Sequence, residues 1–266
     1  MRVPVASRLN NFRDLGGIPV EGGVIARGRV FRSDDVSTVP PEQAAELWER
    51  GIRTIIDLRS PEEADHTGRG PLGDYDIAYL RLPLLRGGAE PEEFLRHLRE
   101  DSATPEIVGG YYASTFVVEA ETIVAALRTI AAAQGGVVFH CAAGKDRTGI
   151  MAAGVLAALG ADDDAIAQDY ARSAAAVPRI MARVSASIGH LMGESDEYFR
   201  AVAEGSATVS PLLGADRDAM IAMLRRLREE HGGPAAVLAA AGFDDEDARS
   251  LRRIVQAHAD ARGGAR

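Results

Sequence analysis

Cys141 and Arg147 stand with five residues between them in Val137-Val138-Phe139-His140-Cys141-Ala142-Ala143-Gly144-Lys145-Asp146-Arg147-Thr148-Gly149. These residue types at this spacing suit attack on a phosphate ester. A cysteine is a nucleophile as its thiolate, which a cluster of cations and N–H groups favours. An arginine is charged at every working pH and can grip two phosphate oxygens with its planar fork. Lys145 adds a second cation over the phosphate, and Asp146, beside Arg147, is within reach of a leaving-group oxygen as general acid.

Such residues need a rigid cradle. The run 136–140 reads as a strand, Ile150-Met151-Ala152-Ala153 begins a helical pattern, and only a tight loop fits between them. The backbone N–H groups of Ala142, Ala143, Gly144 and Lys145 can turn inward as a nest, joined by the positive end of the helix, to hold a dianion above Cys141. Thr148 is placed to hydrogen-bond the thiolate or the phosphoenzyme, and His140 to orient the loop. A nucleotide-binding GxxxxGK[ST] loop would need glycine at Phe139 and Ser or Thr at Asp146, so that alternative fails. A lone cysteine between strand and helix would ordinarily be a small buried hydrophobe. Its neighbours set this one apart.

The loop resembles the HCxxGxxRTG signature of cysteine-dependent protein tyrosine and dual-specificity phosphatases. Two more stretches, Asn11-Phe12-Arg13-Asp14-Leu15-Gly16-Gly17 with Phe31-Arg32-Ser33, and Ile56-Asp57-Leu58-Arg59-Ser60, resemble an atypical bacterial tyrosine phosphatase family with mycobacterial members. The resemblance implies an α/β fold with a central, mostly parallel sheet flanked by helices, and a helical lid or insertion after the loop, around residues 162–210. It also supports Asp146 as the acid, because these enzymes and myotubularin-like lipid phosphatases carry Asp just before the loop arginine. The Asp-bearing WPD loop of typical tyrosine phosphatases is absent, since the sole tryptophan lies in Leu47-Trp48-Glu49. Asp57 is the reserve acid. Lysines like Lys145 occur in phosphoinositide phosphatases, which adds lipid headgroups to the conceivable substrates. Arg13, Asp57 and Arg59 are supporting residues, the last two either touching substrate or forming a salt bridge that orients the loop.

The bulk properties agree. The chain has 266 residues, 46% hydrophobic and 26% charged, with a formal net charge of −9, which argues against broad nucleic-acid or anionic-membrane binding. One cysteine rules out an internal disulfide, and the six histidines show no metal-ligand spacing, so neither metal nor cofactor is expected. The beginning of the sequence lacks a signal-peptide core and no run of about 18 apolar residues occurs, so a cytoplasmic protein without membrane insertion is the expectation. Export by a route without a standard signal stays compatible.

In order, Val24-Ile25 and Val30-Phe31 read as strands of a hairpin, 41–50 as a helix stopped by Gly51, 52–58 as a buried central strand, and 77–84 as another strand. Helices are expected over 91–100, 106–116, 119–134, 148–159, 165–175, 177–192, 195–204, 216–231, 234–241 and 244–261. Tyr111 and Tyr112 read as structural, and Asp162-Asp163-Asp164 as a helix cap and not a cation site. One phosphatase domain spanning 1–266 is expected. It would act through a phosphocysteine on phosphotyrosine, and also on phosphoserine, phosphothreonine or phosphoinositides. Two rivals share the loop cysteine: a phosphate-binding module without turnover, and a rhodanese-like sulfurtransferase.

Overall fold

The computed structural model describes residues 8–84, 104–180 and 214–255. Its organising element is β7 (Gly136–His140), every residue of which is buried. Parallel neighbours flank it on both sides, β4 (Val30–Ser33) and β5 (Ile52–Asp57), which is why both runs are buried along nearly their whole length, the polar Arg32, Ser33 and Asp57 included, instead of alternating. Beyond β5 lies β6 (Ala78–Arg81), also parallel, and beyond β4 the short antiparallel β1 (Arg13–Asp14), giving the order β1-β4-β7-β5-β6. Register aligns Ser33, His140 and Asp57 side by side at the carboxyl end of the sheet.

The expected hairpin of Val24-Ile25 with Val30-Phe31 does not form. Val24 lies in β3 (Gly23–Val24), paired with β2 (Pro19–Val20), while Val30 and Phe31 enter the main sheet. Burying Val30 and Phe31 on both faces of a parallel sheet outweighs a local pairing. Strand 77–84 shortens to 78–81, before Pro83 can interrupt a ladder.

The two sheet faces are covered differently. Val137, Phe139 and Ile56 point into the larger core, against α3 (Pro105–Val118), α4 (Ala120–Ala132), α5 (Asp146–Ala158) and later helices. Val138, Ile55, Ile52 and Phe31 meet Ala44 and Leu47 of α1 (Pro41–Glu49), with Leu72 and Ile77. Burial of these apolar side chains on both faces is the principal driving force holding the sheet. Proline at the first turn starts α1, and Gly51, at φ 85°, ends it. The helix α2 (Pro61–Thr67) starts with a capping box between Ser60 and Glu63.

After α5 comes α6 (Asp163–Ala171), capped by Asp162, whose Oδ1 accepts from the Ala165 N–H at 2.7 Å. Asp162 therefore caps as expected, whereas Asp163 and Asp164 pair instead with Arg228 and Arg217. The helix foreseen over 165–175 gives way to a 3-10 turn at Arg172–Ala176. The chain is described again from Gly214, and α7 (Arg217–His231), α8 (Pro234–Ala240) and α9 (Asp245–Val255) follow. Close crossing of α3 and α7 requires Gly109, where a Cβ would lie 2.5 Å from Ala222 Cβ. Helices expected over 91–100 and 195–204, and most of 177–192, lie outside the described residues, as do residues 181–210 of the expected lid. Among the described residues, no helix is long and apolar enough to cross a membrane.

Candidate active site

Cys141 follows directly on β7 and is buried, with the Gly144 N–H donating to its Sγ at 3.2 Å. Gly144 has φ +67°, and a Cβ there would lie 2.5 Å from the backbone of Ser33 and Asp34. Only glycine fits, for both conformation and space.

The loop's carbonyls are turned outward and held. Ala142 O accepts from the Asp35 N–H at 3.2 Å, and Asn11 Nδ2 donates to Gly144 O at 2.8 Å and Ala143 O at 3.3 Å. Arg32 Nη2 donates to Gly144 O at 2.9 Å. Tying down the carbonyls on one side biases the N–H groups to the other, which is how a peptide loop becomes an anion nest. Asn11 is itself fixed, its N–H donating to Asp34 Oδ1 at 3.0 Å.

Arg32 is anchored by Asp169 of α6, whose Oδ2 lies 2.6 Å from Nη1. Arg13 occupies the other oxygen of Asp169 at 2.9 Å and donates to Asp169 O and Ser173 Oγ at 2.8 and 3.1 Å. Arg13 thus ties the segment before β4 to α6 and to the turn after it. Burial and Arg32 push its guanidinium down to about 10, against the pull of Asp169. Burial opposes ionisation of Asp169, but Arg32 and Arg13 overcome it and hold the carboxyl below its ordinary range.

Arg147, at the start of α5, is gripped on both Nη atoms by Glu63 of α2, Nη2 to Oε1 at 2.8 Å. Burial disfavours its charge, yet Glu63 and Cys141 raise its affinity for the proton overall. Glu63 also accepts from the Ser60 N–H at 2.8 Å, so the cap of α2 sets the angle of the guanidinium. Lys145 is nearly buried; its Nζ donates to Gly214 O at 2.9 Å and lies 3.2 Å from Asp146 Oδ1. Asp146 keeps a side chain 42% exposed, and Tyr112 donates its hydroxyl to Oδ1. Thr148 is fully buried with Oγ1 unpartnered among the described residues.

Asp57 and Arg59 come to the same end of the sheet. Arg59 donates to Asp57 from its backbone N–H at 3.0 Å and from Nη2 at 2.7 Å, and Tyr79 adds its hydroxyl. Burial alone would raise the Asp57 pKa; Arg59, His140 and Tyr79 drive it well below the carboxylate range. A carboxyl so firmly ionised is a poor proton donor. Arg59 also binds Asp35 at 2.9 Å, tying Asp57 to the turn after β4. His140 lies with Nε2 3.7 Å from Asp57 Oδ1 and Nδ1 3.3 Å from Cys141 O; burial lowers its pKa despite the pull of Asp57.

The structure brings to the loop residues to which the sequence reading gave no part in the site: Asn11, Arg32, Glu63, Asp169 and Tyr112, with the Tyr170 hydroxyl 2.9 Å from that of Tyr112. Glu63 had a signal, because Ser60-Pro61-Glu62-Glu63 is a capping-box pattern directly after the central strand. Tyr112, read as structural, is buried but ends on the candidate acid.

A parallel sheet delivering a cysteine into a glycine-turned nest, opposite an oriented arginine, defines a cysteine-dependent phosphatase. A family model described as the tyrosine phosphatase family matches residues 4–256, and the chain belongs to that family. It is 30% identical over 268 residues to the triple specificity protein phosphatase PtpB of Mycobacterium tuberculosis, covering 92% of this chain and 96% of that one. It is 30% identical over 144 residues to a tyrosine-protein phosphatase of Nostoc commune, covering 54% of this chain and 47% of that one. A crystal structure of Pseudomonas aeruginosa TpbA superposes with a TM-score of 0.33 at 19% identity, over 66% of this chain and 86% of that one.

Proposed function

We propose that this phosphatase hydrolyses phosphotyrosine, with Cys141 as nucleophile, Arg147 as oxyanion clamp and Asp146 as general acid. The Gly144 N–H donating to Cys141 Sγ, within a loop whose carbonyls are bound outward, is the observation that supports the reading most. The thiolate attacks phosphorus while the bond to the ester oxygen breaks and Asp146 passes its proton to that oxygen. Asp146 then takes a proton from water, whose oxygen attacks phosphorus. The S–P bond breaks and inorganic phosphate leaves. The N–H groups of residues 142–145 and the guanidinium of Arg147 hold the equatorial oxygens throughout.

Asp146 is favoured over Asp57 because it is half exposed beside the loop, whereas Asp57 is buried and locked to Arg59. The likeness to a phosphatase named for triple specificity extends the proposal to phosphoserine, phosphothreonine or phosphoinositides, with Lys145 supplying the second cation. Initial rates on phosphotyrosine peptide, phosphoserine peptide and phosphatidylinositol phosphates, measured for the wild type and Cys141→Ser, test this. The serine variant is expected to bind phosphate esters without turnover. Full p-nitrophenyl phosphate hydrolysis by it would overturn the nucleophile, and a thiosulfate assay separates the sulfurtransferase alternative.

A further inference from the structure

Two tyrosines from different helices converge on Asp146. Tyr112 of α3 and Tyr170 of α6 are both 1% exposed, their hydroxyl oxygens are 2.9 Å apart, and their rings meet edge to face at 5.9 Å. Tyr112 donates to Asp146 Oδ1, so the hydroxyl between them is directional: Tyr170 donates to Tyr112, and Tyr112 to Asp146. Lys145 Nζ approaches the same Oδ1 at 3.2 Å. Among the described residues Oδ2 takes no hydrogen bond.

From this asymmetry we infer that Tyr112, backed by Tyr170, is a positioning residue for the acid: it reserves Oδ1 as the acceptor, so that the transferable proton sits on Oδ2. The inference rests on the reading of Asp146 as general acid. A carboxyl on a helix's first turn, nearly half exposed, has a side chain free to rotate, and proton transfer needs one oxygen aimed at the ester oxygen. The Tyr112 hydroxyl removes that freedom. After transfer it donates to the carboxylate that remains, stabilising the developing charge where the reaction creates it. Tyr112 keeps its proton throughout, since burial and the nearby Asp146 raise its pKa well above that of an ordinary phenol.

Gly149 has a part in this. A Cβ at Gly149 would lie 2.8 Å from Tyr170 Cδ2, so the glycine after Thr148 is what admits the Tyr170 ring against α5. The loop motif and the tyrosine pair are thus one assembly.

The test compares wild type, Tyr112→Phe, Asp146→Asn and the double variant on phenyl phosphate, whose leaving group has a pKa of about 10, and on p-nitrophenyl phosphate, whose leaving group is far more acidic. For Tyr112→Phe, kcat on phenyl phosphate is expected to fall about 10- to 100-fold more than on p-nitrophenyl phosphate, the rate equivalent of one hydrogen bond to a charged group. KM should change little. In the Asp146→Asn background, adding Tyr112→Phe should cost nothing further on phenyl phosphate. Equal losses of Tyr112→Phe on both esters, or a loss that multiplies with Asp146→Asn, would overturn the positioning role and leave the acid intact. Normal phenyl phosphate turnover by Asp146→Asn would overturn the acid reading itself. If Tyr112→Phe fails to fold, Tyr170→Phe carries the same leaving-group signature at about threefold or more, because it weakens Tyr112 only through one neutral hydrogen bond.

Discussion

Asp169→Asn probes the scaffold behind the phosphate loop. The native carboxylate is 2% exposed in its side chain and divides its oxygens between Arg13 at 2.9 Å and Arg32 at 2.6 Å, guanidiniums that are 8% and 0% exposed. Asparagine keeps the shape and one acceptor but removes the charge, leaving two buried cations facing each other. Breaking a buried ion pair by removing one partner costs about 3–5 kcal/mol. An unfolding entropy of about 2.1 cal/mol/K per residue gives roughly 0.56 kcal/mol/K for a chain of this length, so Tm should fall by about 5–9 °C. Because Arg32 also holds Gly144 O at 2.9 Å, its displacement should lower kcat/KM on p-nitrophenyl phosphate about 10-fold, one hydrogen bond's worth of loop order. Calorimetry at pH 7 alongside Asp164→Asn supplies the control. That carboxylate is 55% exposed in its pair with Arg217, and its loss should move Tm by no more than about 2 °C. A shift for Asp169→Asn as small as the control's would refute the view that this buried triad holds the site.

Three further outcomes follow from the same geometry. Glu63→Gln should lower kcat/KM by about 10- to 100-fold, because Arg147 loses a charge-assisted bidentate partner; Ser60→Ala, which removes only the cap, should reduce it far less, and equal losses would assign the effect to the helix instead. Gly144→Ala should abolish activity, since its Cβ would meet backbone at 2.5 Å, whereas Gly22→Ala, also at positive φ but in open space, should cost only about 1 kcal/mol in urea unfolding. Stability should fall in acid: Asp57 and Asp169 have depressed folded pKa values, so their contribution is fully present above the unfolded value of about 3.9 and is lost as pH drops through the folded values. Asp169→Asn should flatten the pH dependence of the urea midpoint below about pH 4, and an unchanged slope would contradict that.

The sequence by itself determined the central layer and the chemistry. Strand 136–140 appears as read, strand 52–58 to within one residue, and 41–50 forms a helix, because each is a local pattern closed by glycine or proline. The Cys141–Arg147 loop was legible because the cysteine, the turn glycine and the arginine lie within seven consecutive residues. Tertiary structure alone decided what surrounds that loop. Val30 and Phe31 left their expected hairpin for the sheet because burial on two faces depends on partners over 100 residues away, namely Val137 and Val138. Asn11, Arg32, Asp169, Glu63 and Tyr112 act on the loop from five separate segments, and none carries a spacing signal that names its target. A side chain's own pattern reports whether it is buried; which polar atom it meets once buried is settled by how the helices pack around the end of the sheet.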